Sequence, residues 1–248
     1  MPVSLTMRDG TTALDPRLDR LVDLKPGNLA WGVIERRGLG AAVPKSVSHY
    51  LPSSCFLNQG REGQCVSYAF AHELAARPSH AIGFDHVNLR DWYWRMQFLD
   101  VWAGGEYPGG APAYSGTSVH SGAVVHRELG HFKNYTWAFG EEQLRIGLQA
   151  GPAVIGVNWY EGMFDVGDRG FISPSGRLAG GHAIMVQGYN AQHDFYTLVN
   201  SWSRGWGKKG KCKVSRPDMA RLLAEDGECC IPAMRTTKVN RNPVKWSV

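Results

Sequence analysis

The stretch that follows Cys65 constrains the fold more than any other. Val66, Tyr68, Ala69, Phe70, Ala71, Leu74, Ala75 and Ala76 fall on nearly every side of a 3.6-residue helix. A helix that is apolar all round has to run through the middle of a domain, with other elements packed on every side. It must stop before Pro78, whose ring blocks the next helical hydrogen bond. Upstream, "NQGREGQC" is turn material. The sequence therefore predicts a loop that runs into a buried central helix, with Cys65 at the junction.

Three more helices are expected before residue 150. Leu89 to Asp100, with Asn88 as N-cap, carries Trp92, Tyr93, Trp94, Phe98 and Leu99. Val119 to Leu129 is closed by Gly130. Glu141 to Ala150 has acids in its first turn and Gly151-Pro152 as its stop. After Pro152 the period shortens. "AVIGVNW", "GHAIMVQGY", "FYTLVNSW" and "CKVS" read as strands. Helices first and strands second predict an α+β fold in two lobes, not alternating βαβ units. Residues 1–45, broken by Pro2, Pro16, Pro26 and Pro44, read as an N-terminal extension. Only Asp15 to Leu24 has helical spacing there, with Leu18, Leu21 and Val22 on one side. The domain proper is expected over residues 46–235, helical to about 150 and β thereafter, with a basic tail at 236–248.

Composition bounds the function classes. With 248 residues, 43% of them hydrophobic, the chain can bury one large core or two modest lobes. Its net charge of +5 is a small excess without a long basic run, and no RNA motif or zinc-finger spacing is present, so nucleic-acid binding is not expected. Five cysteines, two of them adjacent (Cys229 and Cys230, beside Cys55, Cys65 and Cys212), do not form a disulfide framework and fit a reducing compartment. No apolar run approaches a membrane span, and the first twenty residues lack the apolar core of a signal peptide. A soluble protein, cytoplasmic or virion-associated, is the expectation. His120, His126 and His131 lack the spacing of three ligands on one helix face, and no metal or cofactor is expected.

The thiolate is the reactive form of cysteine, and a free thiol titrates near 8.5. A helix N-terminus favours the anion through its unpaired N–H groups and its dipole, and Cys65 sits at one. A nearby imidazole is the other aid. Among nine histidines, His182 stands out: it follows Gly180-Gly181 and opens a strand. The next strand ends at Asn200, followed by Ser201-Trp202. If the two strands pair, the Asn200 amide can hold the imidazole in one tautomer, and a large aromatic can keep water off that bond.

"NQGREGQC", "GGHAIMVQGYN" and "VNSWSRGWG" together resemble the papain-like cysteine peptidases. The resemblance implies a two-lobed fold, a helical lobe and an antiparallel barrel-like β lobe with the active site between them. It implies Cys65 as nucleophile, His182 as general base and acid, Asn200 as orienting amide, Gln59 as oxyanion-hole donor and Trp202 as the shielding indole. Gly116, Thr117 and Gly181 would meet the backbone of a peptide or protein substrate. There are departures. Glu62 stands where the family has a disulfide cysteine, Val66 replaces the usual Trp, and Gly181 replaces Asp or Asn. The implied relation is to a distant member of bacterial or viral type. The implied reaction is peptide hydrolysis through a thioester. An acyltransferase or transglutaminase-like enzyme would share that intermediate, and an inactive peptide-binding module would keep only the cleft. The extension is shorter than the family's pro-segments and lacks their long helices, so a structural wrap or an arm is expected of it.

Overall fold

The computed structural model describes residues 4–24 and 45–236. Residues 1–3 and 25–44 of the expected extension, and 237–248 of the basic tail, lie outside the described residues. A short hairpin comes first, β1 (Leu5–Thr6) with β2 (Thr12–Ala13). Then come β3 (Val47–Ser48), α1 (Cys65–Ala75), α2 (His86–Leu99), α3 (Val119–Glu128), β4 (Phe132–Trp137) and α4 (Glu141–Gly147). The β half holds β5 (Ala153–Tyr160), β6 (Leu178–Asn190), β7 (Phe195–Val199), β8 (Lys211–Ser215), α5 (Arg216–Ala224) and β9 (Glu228–Arg235).

Every residue of α1 is buried, as an all-round apolar helix requires. It packs on α2 and α3 on one side and on β5 and β6 on the other. Each fully buried Phe or Leu, such as Phe70 and Leu74, contributes about 1.5–3 kcal/mol. α2 starts earlier than the sequence predicts. Asp85 is its N-cap, and Asn88 sits at N3, closing a capping box with it. α4 ends three residues short of Ala150.

β4, β9, β5, β6, β7 and β8 follow one another across an antiparallel sheet, and β3 adds to β6. Among the described residues β4 and β8 end the path, so the expected barrel-like lobe is an open, seven-stranded sheet. β4, α5 and β9 have no counterpart in the sequence reading. Pro232 hides β9, because proline supplies no ladder donor, yet it faces Tyr135 of β4. β4 falls inside the range assigned to the helical lobe and pairs in the sheet nonetheless. One apolar core lies among the helices around Phe70 and Trp92; the other lies under the sheet around Ile155, Ile184 and Leu198.

Residues 15–24 form no helix. Asp15 caps a tight turn by accepting from the Arg17 N–H, and the chain then runs extended. Leu18 and Leu21 are buried in the core of the β lobe, while Val22 is exposed. Their spacing reflects a segment lying across the molecule. No described helix is long and apolar enough to cross a membrane.

Candidate active site

The strand register brings His182 and Asn200 together. Met185 of β6 faces Val199 of β7, so Asn200, the next residue, lies level with Ile184. His182 is on the same face, two residues along. His182 Nε2 donates to Asn200 Oδ1 at 2.9 Å, and that oxygen also accepts from the Ser201 N–H at 2.8 Å. A carboxamide oxygen only accepts, so Nε2 carries the hydrogen and Nδ1 holds the lone pair of the neutral ring. Nδ1 has no hydrogen-bond partner. Trp202 and Trp159 pack on the imidazole, with centroids 4.9 and 4.7 Å away, and close that bond to water.

Cys65 opens α1, and the Ala183 N–H donates to its Sγ at 3.2 Å. The residue after His182 thus touches the thiol, which fixes the histidine strand beside the helix end. Gln59 is buried next to it. Its Oε1 accepts from Ser201 Oγ at 2.5 Å, which leaves the Nε2 hydrogens to carbonyl oxygens. One of these is Glu62 O at 2.7 Å. Gly116, Thr117 and Gly181 rim the same cleft. All eight candidate residues therefore meet at one place, although they come from four separate segments.

The cleft is filled by residues of the same chain. Residues 14–21 cross it as a strap. The Leu14 N–H donates to Ala179 O at 2.8 Å and the Arg20 N–H to Gly181 O at 3.1 Å. The Thr117 N–H donates to Asp19 O, and the Leu21 N–H to Thr117 O. Arg20 faces Thr117 in parallel sense. Close approach needs glycine: a Cβ on Gly181 would stand 2.1 Å from Arg20 O. This described part of the extension lies across Cys65.

Asp19 Oδ1 accepts from the Cys65 N–H at 3.0 Å, so the strap satisfies the donor at the head of α1. Arg17 O accepts from Gln59 Nε2 at 3.3 Å, and the Arg17 guanidinium stacks 4.1 Å over Trp202. Burial under the strap pushes the Cys65 thiol well above its ordinary range, and the Asp19 carboxyl pushes it further. Burial raises Asp19 to about 7, against the bonds from Cys65. Burial lowers His182 to about 4, opposed by the bond to Asn200. With the strap docked, the cysteine is a thiol and the histidine is neutral.

Two buried arginines anchor the strap. Arg8 Nη1 donates to Asp100 Oδ2 at 2.7 Å and to Gly116 O; Nη2 donates to Gln97 O and Trp102 O. Arg20 Nε donates to Glu228 Oε2 at 2.9 Å. Asp19, Arg20, Asp100 and Glu228 have no motif in the sequence and went unpredicted.

The site thus holds a buried thiol at a helix head and, on the adjoining strand, a histidine bonded to an amide. Residues 103–237 match the model of the family described as papain family cysteine protease, and the chain belongs to that family. The matched stretch holds His182 and Asn200 and begins after Cys65. The chain is 27% identical over 105 residues to cathepsin B-like cysteine proteinase 5 of Caenorhabditis elegans, covering 40% of this chain and 30% of that protein. It is 30% identical over 84 residues to zingipain-2 of Zingiber officinale, covering 33% and 34%. These matches span about a third of the relatives' length. In fold it resembles xylellain, a cysteine protease from Xylella fastidiosa, at a TM-score of 0.65 and 17% identity, over 89% of this chain and 97% of that one. It also resembles proCathepsin B S9 from Trypanosoma congolense at 0.57 and 12% identity, over 88% and 87%.

Proposed function

We propose that the protein hydrolyses peptide bonds through a thioester on Cys65 and rests in a latent state held by residues 14–21. The observation that carries this reading is the His182–Asn200 bond, with Nδ1 of His182 left unpaired on the wall that holds the Cys65 thiol. Once the strap leaves, water and the helix dipole favour the thiolate, and His182 Nδ1 accepts the thiol proton. The thiolate attacks the amide carbon. The developing oxyanion takes the place of Asp19 Oδ1 on the Cys65 N–H and of Arg17 O on Gln59 Nε2. His182 returns its proton to the departing amine, leaving a thioester. Water then gives a proton to His182 and its oxygen to the acyl carbon, and the acid leaves with the thiol restored.

The strap is an occupant and not a substrate. The two donors hold oxygens from two different residues, one of them a side chain, so neither strap carbonyl is polarised by both. In a chain released from the strap by Arg8→Ala, Cys65→Ala and His182→Ala should each lower hydrolysis of a peptide library at least a thousandfold, since the triad acts as a unit. Residual cleavage at more than a tenth of the parent rate would refute the assignment. Supplying a primary amine and weighing the products separates hydrolysis from acyl transfer.

A further inference from the structure

His72 lies on α1 two turns after Cys65, so both side chains leave the helix on one face, about 10 Å apart along its axis. Its ring is completely buried. Nε2 accepts from the Leu57 N–H at 3.0 Å. A backbone N–H only donates, so the lone pair is on Nε2 and the hydrogen of the neutral ring is on Nδ1. Burial keeps the ring neutral, lowering it to about 3. Nδ1 has no hydrogen-bond partner among the described residues. A buried donor without a partner is costly, and a leucine in this apolar helix would avoid that cost. What the imidazole supplies, and no apolar side chain can, is an acceptor for Leu57.

Leu57 leads into the turn that carries Gln59. Leu57 O accepts from the Ser203 N–H at 3.3 Å, and the Gln59 N–H donates to Ser201 O at 2.8 Å. Asn58, between them, faces Trp202 in antiparallel sense. Those bonds tie the strip to the β lobe, next to Asn200. The His72 bond ties the same strip to the helix that bears the thiol. We infer that His72 is a positioning residue for the reaction proposed above: through Leu57 it fixes where Gln59 Nε2 stands relative to the Cys65 N–H, so that one rigid helix places both the nucleophile and the oxyanion donor. It acts through the turn and touches none of the reacting atoms. This inference rests on the peptidase reading.

The test is kinetic, in the full chain released by Arg8→Ala. His72→Leu removes the acceptor and keeps the core apolar. It should lower kcat roughly tenfold to a hundredfold and leave KM near the parent value, as expected of a misaimed catalytic group. His72→Gln, whose Oε1 reaches about as far as Nε2, should restore kcat close to the parent. In a chain that also carries Gln59→Ala, His72→Leu should cost nothing further, because the group it aims is gone. A loss that repeats in full on the Gln59→Ala background, a rise in KM alone, or a His72→Gln chain as slow as His72→Leu overturns the inference. Should His72→Leu fail to fold, His72→Asn, whose amide stops short of Leu57, takes its place with the same expectations. A released parent that cleaves no peptide overturns the peptidase reading and this one with it. A parent that cleaves, with His72→Leu at full kcat, overturns this inference alone.

Discussion

The wall of the cleft and the strap that fills it are built by different means. The wall is local and apolar. His182 and Asn200 lie 18 residues apart on neighbouring strands, and Ile184, Val186 and Leu198 beneath them form a continuous core. The strap is long-range and polar. Arg8 pairs with Asp100 across 92 residues and Arg20 with Glu228 across 208. Its apolar pegs are few, Leu18 and Leu21, with Met7 and Ala13 from the hairpin before it. A wall held by a core persists when one contact goes. A strap held by buried ion pairs loses much of its hold when one partner is removed, because the other charge is stranded. The difference suits a site that must keep its geometry while its cover departs.

The largest effect should come from breaking an anchor outside the site. Arg8→Ala strands Asp100, a carboxyl that burial already raises to about 6 against the pull of Arg8. Stranding a buried charge costs about 3–5 kcal/mol, so the docking equilibrium constant should fall by roughly 10²–10⁴ and peptide hydrolysis should rise; an unchanged rate in a folded variant would separate the strap from latency. A step down in size, Gln59→Ala in that released chain should lower kcat by about 10²–10³ with little change in KM. The expected split reads Gln59 as an oxyanion donor; a rise in KM alone would make it a prop for the Ser201 turn.

The smallest effect is a pH slope. Asp19 is raised from the ordinary carboxylate range to about 7 in the docked state, so the docked state binds its proton more tightly than the released one. That contribution is complete below about 4 and is lost as pH rises toward 7. His182, lowered to about 4, acts in the opposite sense over part of the same range. A comparison of wild type with Asp19→Asn cancels the histidine, which both chains share. The melting temperature of wild type relative to the variant should fall between pH 4 and 7; a flat difference would mean that Asp19 is ionised throughout.

What the sequence made legible follows the same division. The central helix, the strands carrying His182 and Asn200, and the turn carrying Gln59 each declare themselves by local period and punctuation, and three such segments in order are enough to bring the site together. Residues 15–24 mislead because Leu18 and Leu21 recur three apart. That spacing is helical, but an extended chain pinned between two lobes buries the same pair. Arg20 and Glu228 carry no local pattern at all. Their pairing is a property of the folded cleft, reached through Gly156 and Gly181, whose missing side chains make the room. The thiolate expected of a helix-head cysteine was sound as local electrostatics, but it left out a carboxyl arriving from 46 residues upstream.

The state of the Cys65 thiol tests the central claim most directly. Its rate of alkylation by iodoacetamide, a small neutral reagent, can be followed against pH and assigned by peptide mass in the folded wild-type chain and in the chain with Arg8→Ala and Arg20→Ala. The latent-peptidase account expects wild-type Cys65 to react only at strongly alkaline pH, and the doubly released chain to react with a midpoint below the 8.5 of a free thiol. Superimposable curves from the two folded chains would contradict it.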